Sequence, residues 1–595
     1  MASLGVADNS PHPIRGAEVL ADGFGAPRGA PRLSCPGAGQ PPAWLSRPEA
    51  LACARPGKTP CHHWGEHMRD FHLPGRSAVH AVNGMVATSH PLAAQAGVEM
   101  LRAGGTAADA AVAAATVLHV CEPHMCGLGG DCFALVKPAG IEDVVALNGS
   151  GQAPAALTAD RLRAEGHAVV PAKSAHAVTV PGAVDGLCRL LEAHGRLGLE
   201  AVLAPAIRHA EAGVPVAPRV AFDWAGAAGL LQGVAREHYL DGGAVPRVGD
   251  RFRAPQQAEV LRRIAAQGRD GFYAGPVAED MVASLRALGG LHELSDFAAT
   301  AGVWGTPLSS DYRGIELLEH PPNGQGATAM LMLNILAQFD LAALEPFGAD
   351  RIHLEAEATK LAYDARDRFI GDPGHSDRLA HMLAPETAAR LAGLIDPGQV
   401  LPEAAVAAAA VHRDTVLICA VDRDGMAVTL IHSIFHSFGS GLASDRYGIL
   451  FHNRGAGFCL APGHPNELGG GRRPMHTIIP AMLREDDRVS LAFGVMGGQY
   501  QATGHARMLT NLRDYGMELQ AALDAPRSWA GPESGGLALE RGHAPEVVAD
   551  LAARGHATLC PETPLGGAQA IRIDHARGVL VGASDPRKDG CALGC

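Results

Sequence analysis

From residue 84 onward, short β-like runs (85–88, 177–180 and 416–421 among them) alternate with Ala-rich stretches of helical character. This alternation constrains the fold most, because it predicts an α/β class. Helices are expected over 93–103, stopped by Gly104-Gly105, and over 107–119, since glycine accepts φ > 0 and ends a helix without strain. A third is expected over 355–369, closed by Gly371-Asp372-Pro373. No internal repeat of solenoid length is seen. The 595 residues allow about four domains or one large interleaved unit.

Composition narrows the function classes. The chain has 49 Lys+Arg against 62 Asp+Glu, a formal net charge of −13. That disfavours a nucleic-acid partner, whose phosphates need a basic surface. Apolar residues at 47% and charged residues at 19% are ordinary globular usage, so a large core can form. No apolar run is long enough for a membrane span.

Residues 1–75 are broken by Pro and Gly and show neither helical nor strand periodicity, so they are expected to be a mobile leader. They lack the basic start, apolar stretch and small-residue cleavage site of a secretory signal, which predicts a cytoplasmic protein. The twelve cysteines are scattered without a compact framework, as expected of thiols in a reducing compartment. Cys61, His62, His63 and His67 have the side chains of a metal site, but in a Pro-broken leader they read better as solvated histidines.

Several common motifs are missing. Gly127-Leu128-Gly129-Gly130 lacks dinucleotide-loop spacing and precedes an apolar strand rather than following one. There is no GxSxG elbow, no P-loop and no HExxH zincin motif. Glycine-rich turns and hydroxyl residues at strand starts remain. Asp414-Thr415 opens the run 416–421, and Asp422-Arg423-Asp424-Gly425 turns it into a second run, 426–431. A Thr at a strand start is ordinarily a β-former, and it becomes a nucleophile only with a base and an oxyanion hole. An N-terminal Thr carries its own base, because a free α-amino group titrates at about 7.7–8.0. That requires a cut before Thr415. In Gly494-Val495-Met496-Gly497-Gly498, unobstructed backbone N–H groups follow an apolar strand and are placed to meet an oxyanion; the plainer reading is a tight turn.

Taken together, these residues resemble the γ-glutamyltranspeptidase family of N-terminal nucleophile (Ntn) hydrolases. The resemblance runs from Gly84 to the C-terminus. Its segments stand in order: GMVATSHPLAAQAG at Gly84, AGGTAADAAVAAA at Ala103, CEPHMCGLGGD at Cys121, VPGAVDG at Val180, EATKLAYDARDRFIGDP at Glu357, DTVLICAVDRDG at Asp414, FGSG at Phe438, RRPMHTIIPAM at Arg472, GVMGGQ at Gly494, DAPR at Asp524 and SDPRKDG at Ser584. The resemblance implies a four-layer αββα sandwich made as one proenzyme. Thr415 would attack the Asp414 carbonyl, and an N-to-O acyl shift followed by hydrolysis would give a large subunit, 76–414 behind the leader, and a small subunit, 415–595. The two would form one interleaved domain and stay associated, and such pairs can form a dimer of heterodimers. In turnover Thr415 would be the nucleophile, Gly497 and Gly498 the oxyanion donors, and Ser433 would take the place of a second family Thr that hydrogen-bonds the nucleophile. No cofactor and no metal are implied.

The departures from the family pattern bear on substrate. Ser150 stands where γ-glutamyl enzymes have the Arg of an Arg-Glu-x-Ala-Pro segment, and Gly457 where they have an acid for the substrate α-ammonium. Phe435 replaces an assisting Asn, and His476-Thr477 replace paired serines. An ammonium beside Arg454 would suffer desolvation and like-charge repulsion, so glutathione is an unfavourable substrate. Arg454 reads either as half of a structural ion pair or as a fork for a substrate carboxylate, the latter favoured if His476, Thr477 and Arg473 line the same pocket. The pattern Asn-Arg-Gly-x-Gly-Phe with Arg-Pro-x-His-Thr-x-x-Pro is similar to oxamate amidohydrolases, linked to purine catabolism, which implies hydrolysis of oxamate to oxalate and ammonia. Two alternatives stand beside it: a γ-glutamyl hydrolase, transpeptidase or other acylase, and an unprocessed, non-catalytic binding homologue.

Overall fold

A computed structural model describes Arg69, Phe71, His72 and residues 75–401, 415–532 and 534–595. Nearly all of the expected leader, the Cys61/His62/His63/His67 group, the run 402–411 and Asp414 lie outside the described residues. Among the described residues, no helix is long and apolar enough to cross a membrane.

Two seven-stranded antiparallel sheets form the centre. The first runs, strand by neighbouring strand, Cys591–Gly594, Gly84–Thr88, Val416–Asp422, Ala427–Ser433, Asp131–Lys137, Val145–Gly149 and Val303–Gly305. The second runs Val79–Ala81, Val579–Ser584, Gly567–Asp574, Arg488–Met496, Ala481–Glu485, Ile315–Glu319 and Leu308–Tyr312. Strand periodicity decides what each face meets. In Val416–Asp422, Val416, Ile418 and Ala420 join a core shared with the helices Pro91–Arg102, Ala107–Cys121 and Ala183–His194. Leu417, Cys419 and Val421 point the other way and pack with Met482, Ala492 and Ile571 of the second sheet. The outer face of that sheet, through Leu491, Phe493 and Val495, packs on Gly326–Leu336, Ala349–Phe369 and Gln501–Arg513. The result is the four-layer αββα sandwich.

Both faces of the central strands are therefore apolar, and the helix between them and solvent is buried throughout. Every residue of Ala107–Cys121 is inaccessible. Its alanines permit close approach to the sheet, and its start is held by a capping box in which Thr106 and Asp109 exchange side-chain and backbone bonds. The expected helices are all present, the third longer than expected because it starts at Ala349. The run 177–180 is not a strand. Ala175–Ala177 is a 3₁₀ turn, and the backbone beyond it binds loop partners, Val180 N–H donating to Gln152 O at 2.9 Å and His292 Nε2 lying 2.9 Å from Val178 O. Apolar β-formers without a neighbouring strand stay irregular.

Candidate active site

Three adjacent strands of the first sheet end in one row. Val416 pairs with His432, and Ser433 pairs with Asp131, so continuing the register places Thr415 beside Ser433 and Ser433 beside Asp131. All three are buried. The second sheet closes over this row because Gly494 has no side chain: a Cβ there would lie 3.0 Å from Leu417 Cδ1. A few residues beyond Gly494 come Gly497 (φ 128°) and Gly498 (φ 54°), a backbone that L side chains rarely adopt. At Gly497 a Cβ would also meet Gly566 Cα at 2.8 Å.

The helix starting at Gln501 ties this glycine turn to Thr415. Gln501 Oε1 accepts from Ile479 N–H at 3.0 Å, which turns its amide so that Nε2 donates to Thr415 Oγ at 3.4 Å. Gln325 makes a second tie, its Nε2 donating to Thr477 O at 2.8 Å and to Gly498 O at 3.3 Å. Arg366 Nη1 donates to Gln325 Oε1 at 2.8 Å and fixes that amide in turn.

Arg454 is fully buried. It starts a 3₁₀ turn, Arg454–Gly457, and donates from Nη1 to Thr477 Oγ at 3.1 Å and from Nη2 to Ser433 Oγ at 3.3 Å. Its Nε lies 3.6 Å from Asp131 Oδ2. Its Cζ sits 4.1 Å from the Phe435 ring centroid, a cation–π distance. Phe435 is held at φ 75°, with its N–H donating to Ser433 Oγ at 2.8 Å. Burial lowers the guanidinium pKa to about 9, opposed by the charge of Asp131, and leaves it protonated at neutral pH.

Asp131 anchors the cluster. Its Oδ1 accepts from Gly151 N–H at 3.0 Å, while Oδ2 faces His452 Nδ1 at 3.0 Å and His476 Nε2 at 3.2 Å in addition to Arg454. Burial alone would raise this carboxyl, but the adjacent His452 and the hydrogen bond from His476 hold it well below the usual carboxylate range. His476 is neutral, its pKa lowered to about 3 by burial and then by Arg454. Its Nδ1 accepts from Ile478 N–H at 3.4 Å, which places the ring proton on Nε2, toward Asp131.

Thr415, Ser433, Arg454, His476, Thr477 and the Gly497–Gly498 turn thus converge. Arg473 does not share their contacts. Its Nε donates to Ser150 O at 3.0 Å and its Nη2 to Ala301 O at 2.8 Å, so its charge serves the Ser150 segment. Sequence reading missed Asp131, His452, Gln325 and Gln501. Asp131 and Gln501 had a usable signal, since each lies beside a glycine motif that was already singled out.

An αββα sandwich with a buried threonine leading a central strand defines the Ntn-hydrolase class. The chain belongs to the gamma-glutamyltranspeptidase family, which it matches over residues 93–595. It is 36% identical over 526 residues to the glutathione hydrolase-like YwrD proenzyme of Bacillus subtilis (strain 168), covering 86% of this chain and 98% of that one. To the oxamate amidohydrolase proenzyme of Klebsiella pneumoniae it is 36% identical over 530 residues, covering 86% and 99%. The crystal structure of cephalosporin acylase from Bacillus halodurans superimposes with a TM-score of 0.82 at 37% identity, covering 89% and 99%. The protein is an Ntn-type amidohydrolase of the proenzyme kind. Relatives named for different substrates stand at equal identity, so the choice of substrate rests on the site.

Proposed function

We propose that this enzyme cuts itself before Thr415 and hydrolyses a small carboxylated amide, oxamate first among them, to oxalate and ammonia. The observation that carries the reading is the buried Arg454 guanidinium, aimed by Ser433 Oγ and Thr477 Oγ at the row that contains Thr415. Each Nη bears a second N–H, and a carboxylate one bond from the scissile carbonyl suits so short a reach. Asp131 faces Arg454 as a counter-ion, so the ion-pair and fork readings are compatible. Gly151 N–H and His476 Nε2 donate to Asp131 while His452 and Arg454 crowd its Oδ2, which leaves little room for a substrate ammonium, and Gly457 supplies no acid. This argues against a γ-glutamyl head group.

The chemistry follows from an exposed Thr415 terminus. Before the cut its nitrogen is an amide and cannot act as a base; afterwards the free amine, at about pKa 7.7–8.0, accepts the Oγ proton as Oγ attacks the amide carbon. The N–H groups of Gly497 and Gly498 receive the oxyanion. The amine returns its proton to the leaving nitrogen, ammonia departs, and water hydrolyses the ester. Ser433 Oγ accepts from Phe435 N–H and Arg454, which orients the hydroxyl beside the nucleophile. Scattered free thiols such as Cys121, Cys126 and Cys419 support a cytoplasmic setting. The test is incubation of purified protein with oxamate, following ammonia and oxalate, beside γ-glutamyl-p-nitroanilide. Oxalate formation with negligible glutamate release is expected, and the reverse preference would overturn the reading.

A further inference from the structure

A second polar cluster lies apart from Thr415. Helix Ala349–Phe369 carries His353 and Glu357 one turn apart, hence on one face. His556, which follows the helix Pro545–Ala553, reaches the same face. All three residues are buried, and one ligand atom from each lies within 4.8 Å of the others. We propose that His353, Glu357 and His556 bind one divalent cation of the zinc type, which clamps the stretch containing Asp396 and Leu401 to the C-terminal part of the chain.

The donor set fits. His353 Nε2 lies 2.8 Å from the Asp396 carbonyl and donates to it, which directs the Nδ1 lone pair at the cluster. Metal-bound histidines are commonly fixed in this way, by giving the other ring N–H to a backbone carbonyl. His353 Nδ1 and His556 Nε2 are 2.8 Å apart. Tetrahedral zinc with bonds of about 2.0–2.1 Å would set them at roughly 3.3 Å, an opening of about half an ångström. Glu357 Oε2 accepts from Leu401 N–H at 2.9 Å, leaving Oε1 for the ion. Oε1 lies 3.9 Å from His556 Nε2 and is bound at 2.8 Å by the Lys360 ammonium. That ammonium supplies the positive charge the carboxylate needs, and its side chain is 27% exposed and free to swing into solvent when an ion takes its place. Two imidazoles and a carboxylate are among the donors zinc favours.

The clamping role rests on the proposed cut before Thr415, because Leu401 and His556 then belong to different chains. Binding itself does not depend on it. The test uses full-length protein stripped with a chelator and titrated with zinc, reading bound metal by elemental analysis and melting temperature. One ion per protein molecule and a raised Tm are expected, with His556→Ala and Glu357→Gln weakening affinity at least about 100-fold, the upper end for losing even a supporting group. Equal zinc binding by those variants would overturn the site. Should the variants fold poorly, cobalt(II) bound to the wild type provides the readout: visible bands of an imidazole-ligated, low-coordinate ion support the site, and their absence overturns it. Thr415→Ala should bind zinc as the wild type does, which separates failure of the metal site from failure of the catalytic reading.

Discussion

Replacing Arg454 with alanine is the perturbation whose consequence the site defines best. Two effects arise. The first is on stability: Asp131 keeps its two histidines but loses its arginine, and breaking a buried pair costs about 3–5 kcal/mol. The second is on substrate. Charge-assisted hydrogen bonds contribute about 1.5–3 kcal/mol, so kcat/KM for oxamate should fall roughly ten- to a hundred-and-fifty-fold. For oxamide, of nearly the same shape but neutral, the fall should be only a few-fold. Measuring both amides on one preparation, with ammonia release as the assay, cancels the fraction of misfolded protein. Arg454→Lys should recover part of the oxamate rate, since it restores the charge without the planar fork. An equal loss for both amides would remove Arg454 from carboxylate recognition and leave it a structural residue.

Further expectations follow from particular contacts. Gln501→Leu removes the donor to Thr415 Oγ and the acceptor for Ile479 N–H, so kcat should drop about tenfold, the effect of one neutral hydrogen bond, with KM little changed; a change confined to KM would contradict the assignment. Gly497→Ala places a side chain at φ 128° against Gly566 Cα, which should cost about 1–3 kcal/mol and show as a lower Tm in thermal melts; an unchanged Tm would mean the turn relaxes. Stability should also fall with acid. Burial lowers His320 and His432 from their unfolded value of 6.5 to about 4. Below pH 6.5 the unfolded chain binds more protons than the folded one, so stability is intact above that pH and is lost on the way down to about pH 4, by roughly 3 kcal/mol per histidine. Urea midpoints that do not move between pH 7 and 5 would refute this.

What the sequence disclosed was largely local. The Ala-rich helix after Thr106 carries its own capping signal, and the run after Thr415 with its Asp/Gly turn pairs as two neighbouring strands. Thr415, Ser433 and the paired glycines could be picked out because each sits at a strand end in a recognisable string. The electrostatic frame was not visible in this way. Asp131 meets His476 across 345 positions of sequence and touches His452 and Arg454, contacts that exist only once the sheet register sets Asp131 beside Ser433. Arg473 bonds Ser150 and Ala301, which stand at the ends of the next two strands along the row of Thr415, Ser433 and Asp131, one strand beyond the Arg454 cluster. The strand expected at 177–180 failed because propensity does not supply a pairing partner.

The account stands or falls on the covalent state of the working enzyme, which intact-mass spectrometry reads directly. Active protein should yield two polypeptides, one of them residues 415–595 with Thr415 at its amino terminus, whereas Thr415→Ala should remain one inactive chain. A preparation with full amidase activity and a single uncut chain of 61.5 kDa would contradict it.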